Sequence, residues 1–214
     1  MQEQRGTKAN YWDRFSNTYD EKVDRLVGKD LRRGLAHMLE NEPDPGSVLE
    51  LGCGTGYFTR AIAKKAKHVT ATDLSGNMVE AAKRNLKDLN NVDFKVENSE
   101  STSFPPETFD TVLMANMLHT LDDPLKALKE CNRVLKKGGT LLIMNYTDEE
   151  MGKVDRTLML FRFAIMFGFP PKKNWPMTAE RLRSLLKGAG FRIERMNLLR
   201  GGKINTFYIR AKKE

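Results

Sequence analysis

Five apolar runs of strand length, SVLEL (47–51), HVTATD (68–73), VDFKV (92–96), FDTVLMA (109–115) and TLLIMNY (140–146), alternate with stretches of helical periodicity. A chain that repeats strand and helix in this way has to cross over between strands of one direction, which gives a parallel sheet with helices on its faces. The helices carry their own punctuation. Ser75 precedes GNMVEAAKRNLKDL, where Met78, Val79, Ala82 and Leu86 share a face; Asp123-Pro124 opens PLKALKECNRVLKK, which Gly138-Gly139 is expected to stop. Thr178 caps AERLRSLLKGAG, and Gly188 and Gly190 end it. Two further runs, FRIERMNLL (191–199) and INTFYIRAK (204–212), flank Arg200-Gly201-Gly202-Lys203, a turn suited to an antiparallel hairpin. The expected fold is α/β: a doubly wound seven-stranded sheet, mostly parallel, with an antiparallel C-terminal hairpin and helices on both faces.

The 214 residues suffice for one domain with a full sheet. Residues 8–41 read as helical, and Pro43, Pro45 and Gly46 break that pattern. No stretch approaches the roughly 18 to 20 apolar residues of a membrane span, and MQEQRGTKANYWDRF lacks the apolar core of a signal peptide, so a cytoplasmic protein is expected. Cys53 and Cys131 make neither a disulfide framework nor a C-x-x-C zinc pair, and no metal is expected. The net charge of +8 raises the question of a polyanionic partner. Acids are interleaved with the bases over most of the chain, which favours solvated helix faces; from Arg181 to Lys213 bases outnumber acids.

VLELGCGTGYFT (48–59) puts Gly52, Gly54 and Gly56 at alternate positions directly after an apolar run. A strand that ends in such a turn and enters a helix brings a ligand against main chain that carries no Cβ, although one or two of the glycines could serve helix packing instead. Asp73 closes the second apolar run, 17 residues after Gly56, and a carboxylate there can accept both hydroxyl hydrogens of a ribose. A helix-cap role for Asp73 is the alternative, with Ser75 able to take that role. Loop and acid together imply a ligand with a ribose.

Here the sequence resembles the class I S-adenosylmethionine-dependent methyltransferases, of Rossmann-like fold. ELGCGTG (50–56) is similar to the family's first motif, with an acid two places before the first glycine and a third glycine one place earlier than in G-x-G-x-x-G. TDLSGNM (72–78) looks like the second motif, ENSESTSFPPETFD (97–110) like the third block, and RVLKKGGTLLI (133–143) like the element entering the fifth strand. The resemblance implies S-adenosyl-L-methionine as cofactor and S-adenosyl-L-homocysteine as product. It implies cofactor contacts from Glu50, Gly52, Gly54 and Gly56, small-side-chain packing by Cys53, a ribose contact from Asp73, and adenine flanks from Leu74 and Met78. Asn98 stands where the family commonly has Asp, Ser99 offers a backbone N–H to the ring, and Ala115 and Asn116 lie beside the cofactor. YWDRFSNTYDEKV (11–23) resembles a helical lid, with Tyr11 and Tyr19 near the methionine portion; an amphipathic helix with Tyr11, Trp12, Phe15 and Tyr19 packed on the domain fits the same spacing.

Transfer of a methyl group from a sulfonium is an in-line displacement, for which alignment and a dry site supply most of the catalysis. A base is needed only if the acceptor loses a proton, and His119 is the candidate, with packing against the next helix as the alternative. Asp122 and Asp123 are read as a helix cap before Pro124. The insertion 148–176 contains LMLFRFAIMFGF, apolar on nearly every helical face except at Arg162; it reads as a cover over an apolar acceptor pocket, with a homodimer interface through 153–170 or a membrane contact as rivals. The organisation expected within one methyltransferase domain, 1–214, is a lid (1–45), a cofactor core (46–146), the insertion (147–177) and a C-terminal helix with hairpin (178–214). The acceptor expected is a small, partly apolar molecule; RNA or protein as acceptor and a non-catalytic cofactor-binding subunit are the alternatives.

Overall fold

The computed structural model describes residues 11–168, 177–201 and 203–214. Residues 8–10 of the N-terminal helical pattern, 169–176 of the insertion and Gly202 of the hairpin turn lie outside the described residues. The sheet has the order β3-β2-β1-β4-β5-β7-β6, built from β1 (Ser47–Leu51), β2 (His68–Asp73), β3 (Val92–Val96), β4 (Phe109–Ala115), β5 (Leu135–Thr147), β6 (Phe191–Arg200) and β7 (Asn205–Lys213). The first five strands are parallel, and β7 runs antiparallel to both β5 and β6. The chain order reverses between β1 and β4, so the carboxyl ends of those strands open a crevice where ligands of doubly wound sheets bind.

Strand periodicity divides the core into two layers. Leu49, Leu51, Val112, Met114, Leu141 and Ile143 face one side, where α5 (Pro124–Val134) and α7 (Ala179–Gly188) cover them. Val48, Leu113, Ala115, Leu142 and Met144 face the other, under α2 (Lys29–Glu40), α3 (Tyr57–Ala63) and α4 (Gly76–Asn85). The helical N-terminal pattern is divided by Gly28, whose φ of 95° ends α1 (Tyr19–Val27) and begins α2. A separate apolar cluster joins Val23, Leu26 and Val27 of α1 to Phe167, the last residue of α6 (Lys153–Phe167).

The reading of PLKALKECNRVLKK as one helix stopped by Gly138-Gly139 needs correction. The helix ends at Val134, and Leu135 is already paired with Phe109 as the first residue of β5. The next matched pair is Thr111 with Thr140, so Lys136 to Gly139 form a bulge in the strand. Gly139 is required there: a Cβ would come within 2.9 Å of the Lys136 carbonyl oxygen.

The basic C-terminal third is largely committed to holding the sheet. Buried Glu42 accepts from Tyr208 Oη at 2.5 Å and from Arg195 Nη2 at 3.2 Å, and it pairs with Arg210, which also reaches Glu194. Lys212 Nζ donates to the Gly138 carbonyl and Thr140 Oγ1, and Lys213 Nζ to the Leu135 carbonyl. Replacing Glu42 by Ala leaves Arg210 without its buried partner and is expected to cost about 3–5 kcal/mol. Urea unfolding measures this, and a loss below about 1 kcal/mol would show that Glu42 does not anchor the hairpin.

Candidate functional site

The glycine loop leaves β1 at the crevice, and three of its N–H groups are taken up inside the protein. Cys53 N donates to the Thr72 carbonyl at 2.8 Å, Gly54 N to Asp73 Oδ2 at 2.9 Å, and Gly56 N to the Cys53 carbonyl at 2.9 Å. The loop is thereby tied to the end of β2, and those donors are not available to a phosphate. Its glycines differ in purpose. At Gly52 (φ +73°) a Cβ would meet Met117 Sδ at 2.7 Å, and at Gly56 (φ +87°) it would meet Leu86 at 2.7 Å, a close packing of α3 on α4. At Gly54 (φ +53°) the nearest atom is Tyr19 Cε1 at 3.8 Å, an ordinary van der Waals contact, and this backbone borders a space.

That space is a cavity of about 290 Å³. It is lined by Gly52, Gly54, Asp73, Leu74 and Met78, with Asn98 and Ser99 from the turn after β3. Trp12, Met117, Thr120, Leu121, Asp122 and Lys126 line it as well, together with Tyr19, Ala115 and Asn116. Asp73 is half-buried, its Oδ1 accepting from Ser75 N at 2.9 Å, and burial raises its pKa against the pull of its backbone donors. Ser75 Oγ accepts from Met78 N, so the serine caps α4 and leaves Asp73 facing the cavity. Asn98 Oδ1 already accepts from Glu100 N at 3.1 Å, while Asp123 caps α5 by accepting from Lys126 N.

A smaller chamber of about 40 Å³ adjoins the first beneath the loop, sharing Tyr19, Gly52, Gly54, Ala115 and Asn116 with it. Glu50, Cys53, Arg32 and Tyr146 line it as well. Four buried polar atoms of this chamber's residues find no partner among the described residues: the acceptors Glu50 Oε1 and Asn116 Oδ1, and the donors Arg32 Nε and Tyr146 Oη. Glu50 Oε2 accepts from Thr59 Oγ1 at 2.5 Å, and burial pushes the carboxyl up to about 7. Asn116 holds a φ of +56°, a conformation disfavoured for side-chain-bearing residues and here kept at the mouth of β4. Arg32 is bracketed by Asp24 Oδ1 at 2.6 Å and Asp20 Oδ1 at 2.7 Å and stacks on Tyr57 at 3.7 Å; Asp20 Oδ2 in turn accepts from Thr55 Oγ1 of the glycine loop.

Of the residues named from sequence, Tyr19, Glu50, Gly52, Cys53, Gly54, Asp73, Leu74, Met78, Asn98, Ser99, Ala115 and Asn116 line one or both of these spaces. Tyr11, Gly56 and His119 do not. Tyr11 Oη donates to the Phe167 carbonyl at 3.0 Å, binding the N-terminal segment to α6. His119, on the short helical turn Leu118–Thr120, has Nδ1 at 3.1 Å from Asn145 Oδ1, and burial lowers its pKa. Sequence reading missed Arg32, Tyr146 and the cavity-facing role of Trp12. The available signals were a base on the buried face of a helix, with Leu35 and Leu39 at three and seven residues on, and a tyrosine at the carboxyl end of the fifth apolar run.

The methyltransferase-domain family matches residues 49–143. A demethylmenaquinone methyltransferase of Clavibacter sepedonicus is 29% identical, over 92% of this chain and 87% of that one. A ubiquinone biosynthesis O-methyltransferase of Xanthomonas campestris is 37% identical over 46% of this chain, and the match spans 43% of that relative's length. Among solved structures, a SAM-dependent methyltransferase of Methanosarcina mazei is 26% identical with a TM-score of 0.69, covering 82% of this chain and 96% of that one. The chain carries the methyltransferase domain and the class I fold of the S-adenosylmethionine-dependent methyltransferases. It is an enzyme of that class, and S-adenosylmethionine is its cofactor.

The residues present fit that cofactor. A pyrophosphate would call for free N–H groups in the loop, which are absent among Cys53, Gly54 and Gly56. The small chamber instead holds two unpaired acceptors and two unpaired donors, the complement of an ammonium and a carboxylate on one carbon.

The Glu50 shift sets a pH dependence. Its folded pKa lies above the ordinary carboxylate value, so between about pH 4.5 and 7 the folded protein holds a proton that the unfolded chain has released. Stability of the cofactor-free protein therefore declines as pH rises through this window. Glu50→Gln is expected to remove the decline and give a higher Tm than the parent at about pH 8, with little difference near pH 5. An equal Tm difference at both pH values would count against Glu50 as the source.

Proposed function

We propose that the protein transfers the methyl group of S-adenosylmethionine to a small, partly apolar acceptor bound against Trp12, Met117 and Leu121 in the larger cavity. The observation that carries this reading is the juxtaposition of the buried zwitterion-matched chamber with a roomier, mixed-polarity cavity along one glycine loop. When bound, the cofactor supplies a methyl group made electrophilic by its sulfonium. In this reading Glu50 and Asn116 accept from its ammonium, and Arg32 and Tyr146 donate to its carboxylate. Asp73 uses its remaining lone pairs for the ribose hydroxyls, while Leu74 and Met78 flank the adenine. Tyr19 presents an aromatic ring at the junction of the two spaces, where it can stabilise positive charge.

Residues 11–27 act in this proposal as a lid. Trp12 and Tyr19 line the cavity, and Phe167 backs both at ring-centroid distances of 6.2 and 6.1 Å. Helix α6 thus covers the site from a second layer, through aromatic contacts rather than by lining it. The relatives' quinone-directed names support an acceptor with an aromatic or quinone-like ring. The internal pairing of Arg195, Arg210, Lys212 and Lys213 weakens the nucleic-acid alternative.

His119 lines neither cavity but stands next to cavity-lining Thr120, so it is the proposed base only for an acceptor that must lose a hydroxyl proton and reaches behind that wall. A proton on Nδ1 directed at Asn145 leaves Nε2 as acceptor, and burial favours the neutral ring. In that case His119→Asn is expected to lower turnover about 100-fold without changing cofactor affinity; equal turnover by the variant excludes the histidine. Asp73→Ala is expected to weaken cofactor binding by ~1–3 kcal/mol, read by calorimetry with S-adenosylhomocysteine. Unchanged affinity in the folded variant removes Asp73 from the site. Incubation of the protein with methyl-labelled cofactor and a fractionated lysate tests the reaction itself: label in the small-molecule fraction is expected, while label in RNA or protein, or no transfer at all, overturns the proposal.

A further inference from the structure

Helix α6 has two apolar faces, only one of which is used by the fold. Met159, Phe163 and Met166 pack inward with Phe167 on the aromatic N-terminal segment. Outward, Val154, Leu158, Phe161 and Ile165 follow one another at intervals of four, three and four residues, so they form a single stripe. They are 71%, 43%, 64% and 68% exposed; Leu160, off the stripe, is 56% exposed. Among the described residues, Val96 is the only other large hydrophobic with comparable exposure. Such concentration on one helix marks a contact surface.

We propose that this outward face of α6 docks on an anionic lipid bilayer, lying in the plane of its surface. Two observations choose this occupant. The 15-residue helix spans about 22 Å, short of the roughly 30 Å hydrocarbon core, and no described helix is long and apolar enough to cross a membrane. Arg156 is held by Asp148, but the stripe is flanked by Lys153 and Arg162 against Asp155 on a chain of net charge +8, which complements acidic headgroups.

The same helix backs Trp12 and Tyr19 through Phe167, so docking would place the cavity mouth close to the lipid surface. Whether the acceptor proposed above is drawn from the bilayer rests on that reading, but docking itself does not. The test is sedimentation of the full chain with vesicles of phosphatidylcholine and phosphatidylglycerol in a three-to-one ratio, and with phosphatidylcholine alone. Binding to the anionic vesicles is expected, weakening at high salt, and about tenfold lost in Phe161→Glu/Ile165→Glu. The variant should keep the parental thermal shift with S-adenosylhomocysteine, because these side chains touch neither cavity. If the double variant does not fold, Leu158→Cys carrying an environment-sensitive dye replaces it, Cys53 and Cys131 being buried; a blue shift with anionic vesicles supports docking and an unchanged spectrum overturns it. No vesicle binding by the parent overturns the proposal, as does undiminished binding by the variant. A parental dimer in sedimentation equilibrium that Phe161→Glu/Ile165→Glu dissociates, without lipid binding, also overturns it and assigns the stripe to a second copy. Failure here with an intact cofactor shift and label transfer leaves the methyl-transfer reading standing; loss of the cofactor shift in the parent would strike that reading alone.

Discussion

The bond from Gly54 N–H to the Asp73 carboxylate decides what kind of ligand this crevice can hold. With its partner from Cys53 N to the Thr72 carbonyl, it ties the loop after β1 to the end of β2 and turns two main-chain donors inward. In glycine loops that bind phosphates, such donors face the ligand and supply its recognition. Here those two donors are taken, and side chains line the cavity. Asp73 is both the loop's brace and part of the cavity wall, which couples loop geometry to the carboxylate presented there.

A second bracket sits above the first. Asp20 accepts from Thr55 of the loop with one oxygen and from Arg32 with the other, while Arg32 also pairs with Asp24 and stacks on Tyr57. Arg32 is almost wholly buried, and a buried charge is tolerated only when paired in this way. The arrangement joins α1, α2 and the glycine loop, so the N-terminal helices are fixed to the site electrostatically as well as through the Trp12, Phe15 and Phe167 rings. Movement of α1 away from the domain would have to break the Asp20 and Asp24 pairs together.

The fold was legible wherever one residue pattern served one purpose. The first four strands were bounded correctly because their alternate residues enter two separate core layers, and that period is written locally. The end of α5 was misread because Cys131, Val134 and Leu135 continue a helical spacing and Lys136-Lys137 suits a last turn; pairing of Leu135 with Phe109, 26 positions earlier in the chain, overrides that preference. Much of the cavity lining was legible because glycines, Asp73 and the strand ends fall at fixed places in the motif order. Arg32, Tyr146 and Trp12 were not, since they come from α2, the end of β5 and the N-terminal segment, and only tertiary assembly brings them to one place. Gly56 shows the converse case: the motif suggests a ligand contact, whereas the backbone closes onto Leu86.

The unpaired atoms of the small chamber and the exposed stripe of α6 are two forms of the same physical departure. A chain optimised for stability alone would pair Glu50 Oε1, Asn116 Oδ1, Arg32 Nε and Tyr146 Oη, or replace them, because an unsatisfied buried polar group costs about 1–3 kcal/mol. It would also place polar residues at Val154, Leu158, Phe161 and Ile165. The interior departure presents donors and acceptors where water is scarce; the exterior one presents apolar surface where water is plentiful. In the readings proposed above, each would be stabilised by a partner of the opposite chemistry, a zwitterion within and an acyl-chain boundary without. The aromatic cluster of Trp12, Tyr19 and Phe167 lies between them, so occupation of the chamber and seating of α6 bear on the same packed rings.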